Sequence, residues 1–221
     1  MAQAFKPSSN TYARLILGGV GVLGGLALLG LYRFNTLSFV TRQQEAREQP
    51  IQFSHKHHNG ELGIDCRYCH TSVEDSTFAG VPPTQICMNC HSQMWKDAPF
   101  LEPVRASYRT GESLQWTRVH DLPDFVYFNH AAHISKGVGC ASCHGDMTKM
   151  NLTYSVAPLT MGWCLDCHRD PANAIRPKEK VFDLTWKPED EPDRPSQREL
   201  GEKLVKQYHV EPRTDCSTCH R

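Results

Sequence analysis

Residues 53–70 read FSHKHHNGELGIDCRYCH, and residues 128–144 read FNHAAHISKGVGCASCH. Each stretch runs Phe-x-His-x-x-His and then, 13 and 12 positions after the Phe, begins Cys-x-x-Cys-His. The same five-residue pattern recurs three more times. The ten cysteines form five pairs, Cys66/Cys69, Cys87/Cys90, Cys140/Cys143, Cys164/Cys167 and Cys216/Cys219, with none left over. Each pair is followed at once by a histidine: His70, His91, His144, His168 and His220.

This is the attachment signature of c-type haem. Two thiols three residues apart reach the two vinyl groups of one porphyrin and become thioethers, and the next imidazole binds the iron. The intervals of 17 and 20 residues between Cys69 and Cys87 and between Cys143 and Cys164 also fit zinc-ribbon knuckles. Five knuckles would make two and a half ribbons, however, and zinc needs no spare histidines. With 12 histidines in 221 residues, one would follow all five pairs by chance less than about once in a million. A disulfide framework satisfies the even parity but leaves those five histidines unexplained. The expected cofactors are five covalently bound haem c groups.

Composition agrees. Lys+Arg and Asp+Glu are equal at 24 each, so the chain lacks the basic excess that nucleic-acid binding leans on. Hydrophobic content is 39%, part of it in one N-terminal run, with 14 Pro and 15 Gly. The remainder is thin for an α/β enzyme or a barrel. The sequence therefore predicts a multihaem cytochrome c of low secondary-structure content, with short α-helices around a haem core and a single N-terminal transmembrane helix.

That helix is the apolar run LILGGVGVLGGLALLGLY, residues 15–32. At 1.5 Å per residue it covers about 27 Å, enough for one crossing. No small-x-small cleavage site follows it, which favours a retained anchor over a cleaved signal. Flanking basic residues are nearly balanced, so charge leaves the orientation open. Covalent haem is installed on the outer side of energy membranes. Residues 1–14 are thus expected in the cytoplasm and 33–221 on the periplasmic side of a cell inner membrane. Gly21 and Gly25 form a G-x-x-x-G pair suited to packing against a partner's helix.

The exposed part holds two repeat copies, about 53–91 and 128–168, and a half copy at about 196–221. Pro171 to Pro195, with five prolines and the mixed-charge KPEDEPDRP, reads as an exposed linker. Ser196 and Glu199 form a capping box ahead of Leu200, Leu204, Val205 and Tyr208 on one helical face. Seven histidines lie outside the attachment motifs. The repeat selects His55, His58, His130 and His133 as distal iron ligands, since imidazoles three residues apart can point from one helical turn at two haems. His57 has Ala132 in its place in the second copy and reads as a solvated residue. A fifth distal ligand stays open: His120 is preferred, with His209, Met94 or Met161 as alternatives.

The paired F-x-H-x-x-H and C-x-x-C-H motifs resemble class III multihaem cytochromes. That resemblance implies that His55 and His130 serve the haems attached just downstream, while His58 and His133 reach neighbouring ones. FSHKHHNGELGIDCRYCH, GVPPTQICMNCH, VHDLPDFVYFNHAAH, PLTMGWCLDCHR and the terminal DCSTCHR are similar to the pentahaem cytochrome subunit of alternative complex III, over about residues 50 to 221 and the single span. The resemblance implies an electron-relay subunit, not itself catalytic, of a respiratory or photosynthetic quinol-oxidising complex that delivers to a cytochrome c or similar acceptor. Expected partners are an iron–sulfur subunit, integral membrane subunits holding the quinol site, and a monohaem cytochrome c. Two other functions remain: a single-span multihaem quinol dehydrogenase, and a multihaem reductase with one open haem.

Overall fold

A computed structural model describes residues 5–220 and divides the chain into two compact units, Met1–Arg42 and Gln43–Arg221. The first unit is essentially one helix, α1, Ser8–Asn35. It extends beyond the apolar run at both ends, and its 28 residues rise about 42 Å. Its mean hydropathy of 2.1 and its wholly exposed side chains make it a candidate membrane span. A single helical turn, Ser38–Thr41, follows, with Phe39 among its exposed residues.

The second unit has short helices joined by long irregular segments, and no strands among the described residues beyond two isolated bridges, Ala46 with Tyr154 and Val138 with Ile175. Helix α2, Thr84–His91, packs on α3, Glu102–Thr110, through the buried hydroxyl pair Thr84 and Ser107 at 2.7 Å. Helix α3 stops where Gly111 takes φ 76°, a left-handed conformation that only glycine adopts cheaply. The strap after it is tied down by Gln49, whose side-chain amide bonds both the N–H and the C=O of Thr117 at 2.9 Å.

The two repeat copies are built alike. In the second, Asn129 caps α4, His130–Ser135, by accepting from the Ala132 N–H. In the first, Ser54 Oγ accepts from the His57 N–H and opens a π-helical turn, Lys56–Glu61. Each turn docks onto the other copy: Lys56 N–H donates to Met150 C=O at 2.9 Å, and Ala131 N–H to Ser76 C=O at 3.1 Å. Gly60 permits the first docking, because a Cβ there would overlap the Thr148 carbonyl. Helix α5, Met161–Arg169, begins at the Thr160 cap and carries the fourth motif. Helix α6, Gln197–Gln207, starts at the expected reciprocal capping box of Ser196 and Glu199.

Ten apolar side chains are buried among the described residues, far fewer than those left exposed. The linker expectation for Pro171 to Pro195 needs correction in its first half. Ile175 and Val181 there are the most buried side chains of the unit, and Trp186 is also buried. These residues wall the third motif: Cys140 N–H donates to Val181 C=O at 3.1 Å. Ala172 receives α6 so closely that a Cβ at Gly201 would overlap its carbonyl. Only the charged stretch from Lys187 onward is largely exposed, because its charges would cost free energy to bury.

Candidate functional site

The Phe of each F-x-H-x-x-H motif sets the rings that follow it. Phe53 stacks on His58 (4.3 Å between centroids, 21°) and meets His55 edge-on (4.9 Å, 83°). Phe128 repeats both contacts, with His133 at 4.4 Å and 27° and with His130 at 4.8 Å and 88°. The two copies thus present a matched pair of differently oriented imidazoles.

Hydrogen bonding then fixes which ring nitrogen stays free. His58 and His133 donate from Nδ1 to the carbonyls of Ser54 and Asn129 at 2.8 and 2.7 Å. His130 donates to Thr77 C=O at 3.0 Å, and His55 pairs with the Thr153 hydroxyl at 3.0 Å. Four of the motif histidines do the same, with His70 on Gly80 C=O (2.7 Å), His91 on Met94 C=O (3.1 Å), His168 on Arg213 C=O (2.8 Å) and His220 on Phe125 C=O (3.1 Å). An imidazole that donates from Nδ1 keeps Nε2 unprotonated, the state in which it binds a metal.

Three histidine pairs face each other at nearly one separation: His58 and His91 at 6.2 Å, His133 and His168 at 6.0 Å, and His130 and His144 at 6.4 Å. An imidazole bound through Nε2 at about 2 Å puts its ring centre about 3 Å from the metal, so two rings on opposite sides stand about 6 Å apart. The residues present therefore fit bis-imidazole iron. The thiols fit covalent attachment as well, since all ten cysteines are free.

His55, His70, His120, His130 and His144 form the central group, within electrostatic reach of one another. Burial, and then its neighbours His120, His130, His70 and His55, lower His144 to about 3. Burial, and then His70, His58 and His120, lower His55 to about 4. Both rings are thus held neutral. Burial likewise pushes the Cys140 and Cys143 thiols up to about 12 and about 11.

His120 lies against His144, with centroids 4.3 Å apart, and its Nε2 is buried without a partner. That separation is too short for two ligands across one metal, and the structure places His120 in the central group rather than beside His220. The ring neighbour of His220 is Phe125, at 5.8 Å. His209 is exposed, with φ 50°, and Met94 and Met161 are exposed too. His57 differs from the solvated residue expected: it is half-buried, stacked on Trp95 (5.5 Å, 21°), and bonded to Glu61 at 3.0 Å.

Sequence reasoning missed Arg176, a lone basic residue in a proline-rich stretch with no periodic signal. Its guanidinium lies 5.0 Å over the Trp186 ring and donates from Nη1 to Asp183 C=O at 3.0 Å. Nε is buried without an acceptor. The side chain crosses Gly139, where a Cβ would overlap Nε and Cζ, so this cation sits directly beside Cys140.

Attachment pairs, facing imidazoles and a scarcity of aliphatic core define a c-type cytochrome with several haems, an electron-transfer protein. Residues 126–221 match the family of cytochrome c7 and related cytochrome c, a region with three of the five motifs and the second histidine pair. The chain is also similar to the multihaem cytochrome c subunit of menaquinone reductase from Nitratidesulfovibrio vulgaris. The two are 38% identical over 112 residues, 50% of this chain and 52% of that protein. The chain thus spans about half the length of the curated relative it matches. Covalent haem c and a cytochrome c7-like fold follow from these findings.

Proposed function

We propose that the chain binds five haem c groups and relays electrons as the membrane-anchored cytochrome subunit of a quinol-oxidising complex of the alternative complex III type. The observation that carries the relay is the set of facing pairs His58/His91, His133/His168 and His130/His144 at 6.0–6.4 Å. Proximal ligands are His70, His91, His144, His168 and His220. Distal ligands are His55, His58, His130 and His133, and His120 with its orphaned Nε2 is the fifth. Iron held between two imidazoles supplies one-electron exchange and offers no open position to a substrate.

The chain's own residues do the rest. The Nδ1–carbonyl bonds hold each ring's orientation, Phe53 and Phe128 brace the distal pairs, and the buried central group excludes water. Helix α1 anchors the chain, with residues 33–221 on the periplasmic side and the N-terminus in the cytoplasm. Quinol oxidation falls to integral membrane partners. An iron–sulfur subunit and a monohaem cytochrome c complete the assembly.

A second reading reverses the flow. The similar Nitratidesulfovibrio protein belongs to a menaquinone reductase, so the chain could deliver electrons toward quinone. Extraction in mild detergent, mass spectrometry of the bound subunits and assays in both directions test both. Co-purified iron–sulfur and multi-span subunits with quinol:cytochrome c activity support the proposal. Quinone reduction alone supports the second reading. A chain that purifies alone and itself oxidises quinol, or that binds carbon monoxide stoichiometrically when reduced, overturns both.

A further inference from the structure

The five attachment motifs do not touch in the order in which they occur along the chain. Asn89, inside the second motif, donates to the Tyr68 hydroxyl of the first at 3.0 Å. The first motif meets the wall of the third: Arg67 lies 4.5 Å over the Phe182 ring, and the neighbouring Val181 carbonyl accepts from Cys140 N–H. The first and third motifs are also joined by the exchange between copies, in which His55 bonds Thr153 beyond the third motif and His130 bonds Thr77 beyond the first. The third motif's copy reaches the fourth through the facing rings of His133 and His168. The fourth reaches the fifth through His168 and the Arg213 carbonyl at 2.8 Å.

Burial follows the same order. Of the ten cysteines only Cys90 and Cys216, one in the second motif and one in the fifth, are exposed. The thiols that sense one another across motifs are Cys69 with Cys87, Cys140 with Cys66, Cys143 with Cys167 and Cys164, and Cys164 with Cys219.

We infer that the haems form one unbranched line in the order second, first, third, fourth, fifth, with the first and third at its buried centre. Its two exposed ends, at Cys87/Cys90 and at Cys216/Cys219, are where external redox partners exchange electrons. The two repeat copies meet head to head through their first motifs, so the first copy runs backward along the line. Each hop moves one electron, the donor iron passing from ferrous to ferric as its neighbour passes from ferric to ferrous, and no bond is made or broken. A quinol-derived donor serves one end and a one-electron acceptor protein the other.

This inference rests on the five-haem relay proposed above. The test is to locate the irons in the full haem-loaded chain, by anomalous scattering at the iron edge or by cryo-electron microscopy. The expected nearest neighbours of the iron on His70 are those on His91 and His144. The irons on His91 and His220 should each have one neighbour only. An iron on His91 lying between those on His70 and His144, or a branched arrangement, overturns the inference while leaving the relay intact. Fewer than five irons overturns the five-haem reading itself.

Discussion

Replacing Arg176 with Gln removes a positive charge beside the third attachment site and keeps most of the side chain's volume. No carboxylate pairs with this guanidinium among the described residues; its neighbours are the Trp186 ring and the Asp183 carbonyl. The Asp183 carboxylate is engaged elsewhere, accepting from the Thr185 and Trp186 amides at 3.1 Å. The cation is therefore free to act on the haem bound at Cys140 and Cys143. Reduction adds one negative charge to that haem, so a nearby cation favours the reduced form. With a charge-to-iron separation on the order of 10 Å and an effective dielectric constant of about 20, the interaction is about 1.7 kcal/mol. For one electron this is about 70 mV, at 59 mV per tenfold change in the equilibrium constant. Solvent on the open side of Arg176 lowers the expected shift to about 30–70 mV. Spectroelectrochemical titration of the detergent-solubilised protein, with haem content checked beforehand, should show one potential falling by that amount and the others unmoved. Arg176→Lys should keep most of the wild-type potential. A fully loaded R176Q protein with unchanged potentials refutes the reasoning, as does an equal drop in both variants.

His120→Ala should turn one haem high-spin, seen by electron paramagnetic resonance, whereas His209→Ala should leave the spectrum unchanged; the reverse pattern would assign the fifth ligand to His209. Phe128→Ala should remove the brace on both His130 and His133, cost about 1–3 kcal/mol of stability, and give partial high-spin character at two haems; a change confined to one would contradict the shared brace. Gly201→Ala should push α6 off the Ala172 carbonyl and cost about 1–3 kcal/mol, lowering the thermal midpoint, and an unchanged midpoint would show that the contact yields freely. Asp65 is held below its ordinary 3.8 first by the Arg67 side-chain hydrogen bond. Its contribution is complete above the unfolded value and is lost as pH falls through the lower folded one. Thermal melts should therefore converge for wild type and Asp65→Asn below about pH 3 and favour wild type above about pH 5; a pH-independent gap would contradict this.

The chemistry of the site was legible in the sequence because covalent haem attachment is a local event. Two thiols and an imidazole must lie within five consecutive residues, and a distal histidine pair must lie within one helical turn. The α6 cap was legible for the same reason, since Ser196 and Glu199 bond each other's backbone three residues apart. The apolar run of α1 announced itself by length alone. What the sequence could not carry was anything set by long-range contact. It did not show that Pro171 to Trp186 holds the most buried side chains, because Ile175 and Val181 bury themselves against segments tens of residues away. Arg176 beside Cys140 was hidden for that reason, and so was the stacking of His57 on Trp95. Nor could motif spacing give the order of the motifs in space. That order depends on the exchange in which His55 bonds Thr153 and His130 bonds Thr77, contacts spanning 98 and 53 residues that exist only once both copies have folded against each other.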